Sequence, residues 1–89
     1  MNYNTEAKII SEITDKITSE ITDDETYDKI RTIIYDQFRI MDNNIYNHPE
    51  SIEEMIFDSS YMMTSEIAEI YPIEFNGTFE MIKRIITEN

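Results

Sequence analysis

Cysteine, leucine, valine and tryptophan are absent from this sequence of 89 residues, which contains one glycine and two prolines. Without cysteine there is no disulfide framework and no thiolate metal site, so packing alone must stabilise the fold. No apolar run approaches the roughly 20 residues of a membrane span, and the N-terminus lacks the basic and apolar regions of a secretion signal. The sequence therefore predicts one soluble, cytoplasmic domain over residues 1–89.

Positive charge is also scarce. Seven Lys and Arg residues stand against 19 Asp and Glu residues, which gives a net charge of −12. The 43 residues between Arg39 and Lys83 contain no Lys or Arg and nine acids, so this base-free stretch alone carries −9. Such a charge disfavours binding to nucleic acid or anionic lipid and favours basic partners.

The chain contains 18 isoleucines, and their spacing predicts helices. Ile9, Ile13, Ile17 and Ile21 recur every four residues and form one helical face that ends near Ile21. A new phase predicts a second helix over residues 23–42, with the stripe Tyr27, Ile30, Ile34, Phe38 and Met41. The intervening Thr22-Asp23-Asp24-Glu25 has the form of a capping box. A single helix over residues 5–42 is the alternative, and a gap in the apolar stripe disfavours it.

The second half of the chain repeats the helical pattern. Asp42–His48 is predicted as a loop, and Pro49 is suited to the first position of a third helix over Glu50–Tyr71, which Asp58-Ser59-Ser60 could interrupt. Asn76-Gly77 predicts a turn and Thr78 a cap for the last helix, whose stripe is Phe79, Ile82, Ile85 and Ile86. The predicted fold class is all-α, a small compact bundle of about four helices.

Carboxylates and aromatic residues share one side of the predicted third helix. Glu50, Glu54 and Asp58 form a row at i, i+4 spacing without a cation, and like charges at this spacing cost a helix roughly 0.2–0.5 kcal/mol per pair. The row does nothing for folding, which indicates a role in binding. The predicted partner-binding residues are Glu50, Glu53, Glu54, Phe57, Asp58, Tyr61, Glu66 and Glu69. In the alternative interpretation, a fourth helix covers Phe57 and Tyr61.

One row of carboxylates has about half the charge density of a DNA strand, because it rises about 6 Å per charge against one phosphate per roughly 3.4 Å. A second row beside it would be needed to imitate a duplex edge. The second helix offers acids for such a row: Asp24, Glu25, Asp28 and Asp36.

Residues with catalytic or ligand chemistry are few. His48 is the only histidine, so zinc and nucleophilic chemistry lack the required partners, and we expect no enzyme, no catalytic residue, no metal site and no cofactor. A calcium loop is a weak alternative, with Asp42, Asn44, Glu50 and Glu53 at its first, third, ninth and twelfth positions. Asn47 stands where the sharp turn of such a loop wants glycine, which counts against it.

The base-free stretch, which includes DNNIYNHPESIEEMIFDSSYMMTSEIAEI, carries a resemblance. In length, charge and lack of catalytic residues the chain resembles the small acidic inhibitors made by phages and mobile elements, of the anti-CRISPR or anti-restriction kind, some of which mimic DNA. That resemblance implies a non-enzymatic inhibitor that acts in a bacterial host cell on a basic nucleic-acid-binding protein of the restriction or CRISPR effector type. The alternative is a helical module that dimerises or docks through Phe57, Tyr61, Met62 and Met63, with its charge serving solubility.

Overall fold

The computed structural model describes residues 3–89, which form four α-helices and no strand. The helices are α1 (Tyr3–Thr18), α2 (Asp24–Asn47), α3 (Ile52–Ile70) and α4 (Phe75–Glu88), and a 3-10 turn (Pro49–Ser51) precedes α3. Both α1 and α3 pack against α2 and α4, so the helices form a ring with α1 and α3 on one diagonal. The molecule measures 39 × 26 × 19 Å. The predicted all-α bundle of about four helices is confirmed.

The core lies inside this ring and is made largely of isoleucine. Its fully or almost fully buried apolar residues are Ile9, Ile10, Ile13, Ile30, Ile34, Phe38, Met41, Met63, Ile67, Ile82, Ile85 and Ile86. Most of them belong to the predicted stripes, because a helix of a small bundle buries the face on which its apolar residues recur. Within residues 3–89, no helix combines the length and the apolar character needed to cross a membrane.

The connection between α1 and α2 begins earlier than predicted. α1 ends at Thr18 and not near Ile21, since the Ile21 amide donates to the Thr18 carbonyl at 3.0 Å and closes a tight turn. The cap of α2 is Asp23, not Thr22 of the predicted capping box. Its carboxylate accepts from the Glu25 amide at 3.3 Å and from the Thr26 hydroxyl at 2.6 Å. These hydrogen bonds lower the pKa of Asp23, the largest contribution coming from Thr26.

The predicted loop over residues 42–48 is wrong, because α2 continues to Asn47. Ile45 lies one turn after the buried Met41 and packs against the core, and this packing outweighs the weak helix propensity of the asparagines. The His48 amide then donates to the Asn44 carbonyl at 2.8 Å and closes the helix. The calcium hypothesis is wrong for the same reason, since Asp42 and Asn44 belong to a helix and not to a loop.

The start of α4 also differs from the prediction. The helix begins at Phe75, and Glu74 caps it, because the Glu74 carboxylate accepts from the Gly77 amide and the Glu74 carbonyl accepts from the Thr78 amide. The predicted Asn76-Gly77 turn and Thr78 cap are therefore wrong. Gly77 has no positive φ, so it needs none of the freedom that a glycine turn would use.

α3 runs unbroken through Asp58-Ser59-Ser60, so the suspected interruption is wrong. It begins at Ile52, which places Glu50 in the preceding 3-10 turn and outside the helix. Its buried face contains small polar residues that the apolar pattern missed: Ser59, Ser60 and Thr64. The Thr64 hydroxyl donates to the Ser60 carbonyl at 2.7 Å, whereas the Ser60 hydroxyl has no hydrogen-bond partner within residues 3–89.

Ser60→Ala is expected to raise the free energy of unfolding by about 1 kcal/mol. The substitution removes a fully buried, unpaired hydroxyl and improves the helix propensity of the position. Urea unfolding followed by circular dichroism measures the change. The matched control is the neighbouring Ser59→Ala. It brings the same gain in helix propensity but does not remove a fully buried, unpaired hydroxyl. Equal stabilisation by both variants would mean that the Ser60 hydroxyl carries no desolvation cost.

Candidate functional site

The outward surface of α3 bears acids and no base. Viewed down the helix axis, the buried residues of α3 cluster around one direction. At 100° per residue, Asp58 lies about 180° from that direction, on the opposite side of the helix. Glu54 and Glu69 lie within about 40° of Asp58, and all three are exposed. We call these three residues the outer acidic face.

Apolar side chains occupy the middle of this face. Glu54 and Asp58 are one turn apart, about 6 Å along the axis, while Glu69 follows about 16 Å beyond Asp58. Tyr61, Met62 and the partly exposed Ser65 lie in the gap, and the two apolar side chains have 49% and 44% of their surfaces exposed. The face is therefore an apolar centre between two acidic ends, and it is not a continuous line of phosphate-like charges.

The other predicted acids point elsewhere. Glu66 turns toward α2, where the Gln37 amide donates to its carboxylate at 3.3 Å. Glu53 lines a groove at the end of the bundle. Glu50, in the 3-10 turn, lies 3.7 Å from the His48 ring nitrogen Nδ1. The eight predicted partner-binding residues thus occupy adjoining surfaces and do not form one row.

Phe57 and Tyr61 belong to an aromatic cluster with Phe75 and Phe79 of α4. The ring centroids of Phe57 and Phe79 are 5.1 Å apart, and those of Tyr61 and Phe75 are 5.4 Å apart, both edge to face. Such pairs stabilise the α3–α4 contact beyond the area they bury. α4 therefore covers one edge of each ring, as in the alternative interpretation, yet Phe57 and Tyr61 each remain 49% exposed. Phe75, outside every predicted stripe, was missed.

One cation sits on this cluster. The Lys83 ammonium lies 5.1 Å from the Phe79 ring centroid and 5.9 Å from that of Phe57. It also contacts the Glu80 carboxylate at 3.2 Å. Its charge is thereby matched by a neighbour on the same helix, so it does not neutralise the outer acidic face.

The second row of acids expected on α2 is interrupted by bases. Lys29 contacts Glu25 at 3.2 Å, and the Arg39 guanidinium lies 5.8 Å from the Tyr35 ring centroid. Asp36 remains exposed, one residue before the Gln37 that contacts α3. With five acids and no base, α3 therefore carries more uncompensated charge than any other helix.

A groove opens at the end of the bundle where α2 and α4 finish and α1 and α3 begin. It encloses about 1010 Å³. Its apolar lining comes from Met41, Ile45, Ile52, Ile56, Phe57 and Ile86. Asp42, Glu53 and Lys83 supply its charged lining. We call this the end groove, and no single helix pattern predicted it, because four helix ends build it.

Two carboxyl groups meet beside the end groove. The protonated Glu6 carboxyl donates to Asp42, and this hydrogen bond, followed by burial and the negative charge of Asp42, raises the pKa of Glu6 to about 7. Arg39 acts in the opposite direction. Within residues 3–89, no group of three or more His, Asp or Glu side chains is arranged to hold a metal ion.

No protein-family model, curated protein or solved structure matches this chain. An exposed, base-free acidic face with a half-exposed apolar centre can attract a basic surface and exclude water from a contact with it.

Proposed function

We propose that this protein is a non-enzymatic interaction protein that docks the outer acidic face against a basic, nucleic-acid-binding protein and blocks that protein's binding site. One observation carries the proposal: three exposed carboxylates flank the half-exposed Tyr61 and Met62 on a helix that has no basic residue. Clustered like charges weaken a helix, and the exposed half of the Tyr61 and Met62 surfaces gains nothing from the core. Both features have a physical use in a complex.

The two parts of the face have different roles in binding. Carboxylates at the rim accelerate encounter with a cationic surface and orient it, whereas the desolvated apolar centre determines how long the complex lasts. The chain's size and charge, which resemble those of anti-CRISPR and anti-restriction inhibitors, support a partner of the restriction or CRISPR effector type in a bacterial cytoplasm. A partner with an electropositive groove for DNA or RNA fits this surface.

The test combines partner capture with charge reversal. The tagged protein is incubated with a bacterial lysate containing restriction and CRISPR effector complexes, and the captured partner is competed with DNA or RNA. Simultaneous Glu54→Lys, Asp58→Lys and Glu69→Lys substitutions are expected to weaken binding by at least about 100-fold, because three attractive contacts become repulsive. Titration at low salt and at about 0.15 M, where the Debye length is about 8 Å, should show a steep loss of affinity.

A matched variant separates the face from net charge. Asp15→Lys, Glu20→Lys and Glu88→Lys reverse the same number of exposed acids outside α3 and should change affinity by less than about tenfold. Unchanged affinity of the α3 variant, or an equal loss of affinity in both variants, would contradict the proposal.

A second candidate function is a docking or dimerisation module centred on the aromatic cluster. The half-exposure of Phe57, Tyr61 and Met62 favours it. In that case Phe57→Ala with Tyr61→Ala would abolish partner capture or self-association, while the charge reversal on α3 would leave it intact. Affinity would then be almost insensitive to salt, since an apolar contact is not screened.

A further inference from the structure

The end groove is a concave apolar surface separate from the outer acidic face. Its volume of about 1010 Å³ lies at the upper end of the range typical of ligand sites. Three of its apolar lining residues are open to solvent: Tyr46 at 86%, Phe57 at 49% and Ile52 at 43% exposure. Apolar side chains that meet solvent at the mouth of a groove gain free energy when a partner covers them.

The helix ends around the groove give it a negative potential. α2 and α4 end here, and neither has a basic residue in its last turn. The partial negative charge that the helix dipole places at each C-terminal end is therefore not neutralised. α1 and α3 begin here, and Glu53 and Glu54 in the first turn of α3 offset the positive end of that helix. Asp42 and Glu53 are the acids of the lining, while Lys83 is paired with Glu80.

This combination selects the chemistry of the occupant. A second copy of the chain would bring a further −12 charge, and an anionic lipid would meet the same repulsion. A neutral apolar molecule would fill the groove but leave its carboxylates unused. We propose that the end groove binds a basic amphipathic helix of a partner protein, whose apolar side chains enter the groove while its Lys or Arg side chains pair with Asp42 and Glu53.

The dimensions suit a short segment. The end of the molecule lies within its two smaller extents, 26 and 19 Å, and a helix of about 12 residues is about 18 Å long. Helix-in-groove recognition uses apolar anchors at i, i+3, i+4 and i+7, which such a length supplies. The end groove lies outside the outer acidic face. Loss of one binding activity would therefore leave the other untouched, so this inference can be tested independently of the proposed function.

A synthetic peptide provides the probe. A fluorescein-labelled helix of about 12 residues, with Leu on one face and Lys on the other, is titrated with the full-length protein at about 0.15 M salt and followed by fluorescence anisotropy. Two control peptides carry the same residues in shuffled order or Glu in place of Lys. We expect binding of the amphipathic basic peptide at least about tenfold tighter than of either control, because the groove requires both the apolar stripe and the cations.

Two matched pairs of variants locate the binding site, since both pairs contrast the ends of α3. Ile52→Ser is expected to weaken the peptide about tenfold, whereas Ile70→Ser, at 42% exposure but remote from the groove, should change it less than about twofold. Glu53→Gln should weaken it about threefold and reduce its salt dependence, and Glu69→Gln on the outer acidic face should not.

The outcomes are separable. Circular dichroism of each variant establishes that it is folded, and all four substitutions change exposed residues. Equal effects at both ends of α3 would show diffuse binding to the acidic surface and overturn the groove as the site. Self-association of the native protein that Ile52→Ser abolishes would assign the groove to a second copy, and absence of peptide binding would remove the proposal.

Discussion

Phe38→Ala is expected to lower the free energy of unfolding by about 4 kcal/mol, the largest effect of any single substitution we predict. Phe38 is the largest fully buried side chain of the bundle and lies in α2, which packs against both α1 and α3. Truncation removes the apolar transfer free energy of the ring and leaves a cavity that the helices can close only in part. A chain of this size has a total stability of about 4–13 kcal/mol, so the loss approaches the whole of it.

Urea unfolding and thermal melting measure this loss. A change of about 4 kcal/mol corresponds to a fall in Tm of about 20 °C for a domain of this length. Ile40→Ala on the same helix is the control, because Ile40 is 52% exposed and its truncation should cost less than about 1 kcal/mol. Phe38→Met, which conserves most of the volume, should recover more than half of the loss. A drop below about 2 kcal/mol for Phe38→Ala would show that the core is loosely packed at its centre.

The burial of Phe38 is a feature that the sequence alone could predict. Ile30, Ile34, Phe38 and Met41 all belong to the predicted stripe of the second helix, and all four are buried. Periodicity succeeds here because the helix lies between two neighbours and buries the face on which its apolar residues recur. On α3 the same reasoning is less successful. At 100° per residue, Ile52 and Ile70 fall on the same side of α3 as its buried residues, yet they lie at the two ends of the helix and are each more than 40% exposed.

Helix ends were the least predictable part of the fold. Asn and Gly signals indicated a loop after Met41 and a turn at residues 76–77, because these residues favour such conformations in isolation. Tertiary contacts decide both places. Ile45 extends the core by one turn, and Phe75 packs its ring against Tyr61, which brings the start of α4 forward. A side-chain contact between distant residues cannot be obtained from local propensity.

The residues of the candidate sites also differ in how far the sequence alone could predict their positions. The acids and aromatic residues of α3 could be assigned to the outside of one helix from spacing alone. Their division among the outer acidic face, the α2 contact of Glu66 and the groove position of Glu53 depends on where the neighbouring helices lie. The contact between Glu6 and Asp42 joins residues far apart in sequence, and no pattern in either helix indicates it.

The pair Glu6 and Asp42 is expected to make the protein more stable in mild acid than in mild base. The folded-state pKa of Glu6, about 7, lies above the ordinary value of 4.5, because Asp42 accepts a hydrogen bond from the protonated carboxyl and repels the ionised one. The folded chain therefore binds a proton that the unfolded chain releases. This contribution to stability is fully present below about pH 4.5 and is lost as the pH rises through about 7.

The size of the effect follows from the shift. Each pKa unit corresponds to about 1.4 kcal/mol, but solvent screens this partly exposed pair and its two carboxyls share the proton, so we expect a decline of only about 1.5 kcal/mol in the free energy of unfolding between pH 5 and pH 8. Glu6→Gln supplies a permanent donor to Asp42 in place of the titrating proton. The variant should match the native protein near pH 5 and exceed its stability by about 1.5 kcal/mol at pH 8.

The net charge of −12 could produce a slope of the same sign, because protonation of any acid reduces repulsion in the folded state. Asp15→Asn, an exposed position on α1, removes one charge without touching the pair, so it should leave the slope unchanged. Urea unfolding at a series of pH values, repeated at about 1 M salt, separates the causes, since salt screens diffuse repulsion far more than a hydrogen-bonded contact. A slope that persists in Glu6→Gln and disappears in salt would assign the pH dependence to net charge and not to the carboxyl pair.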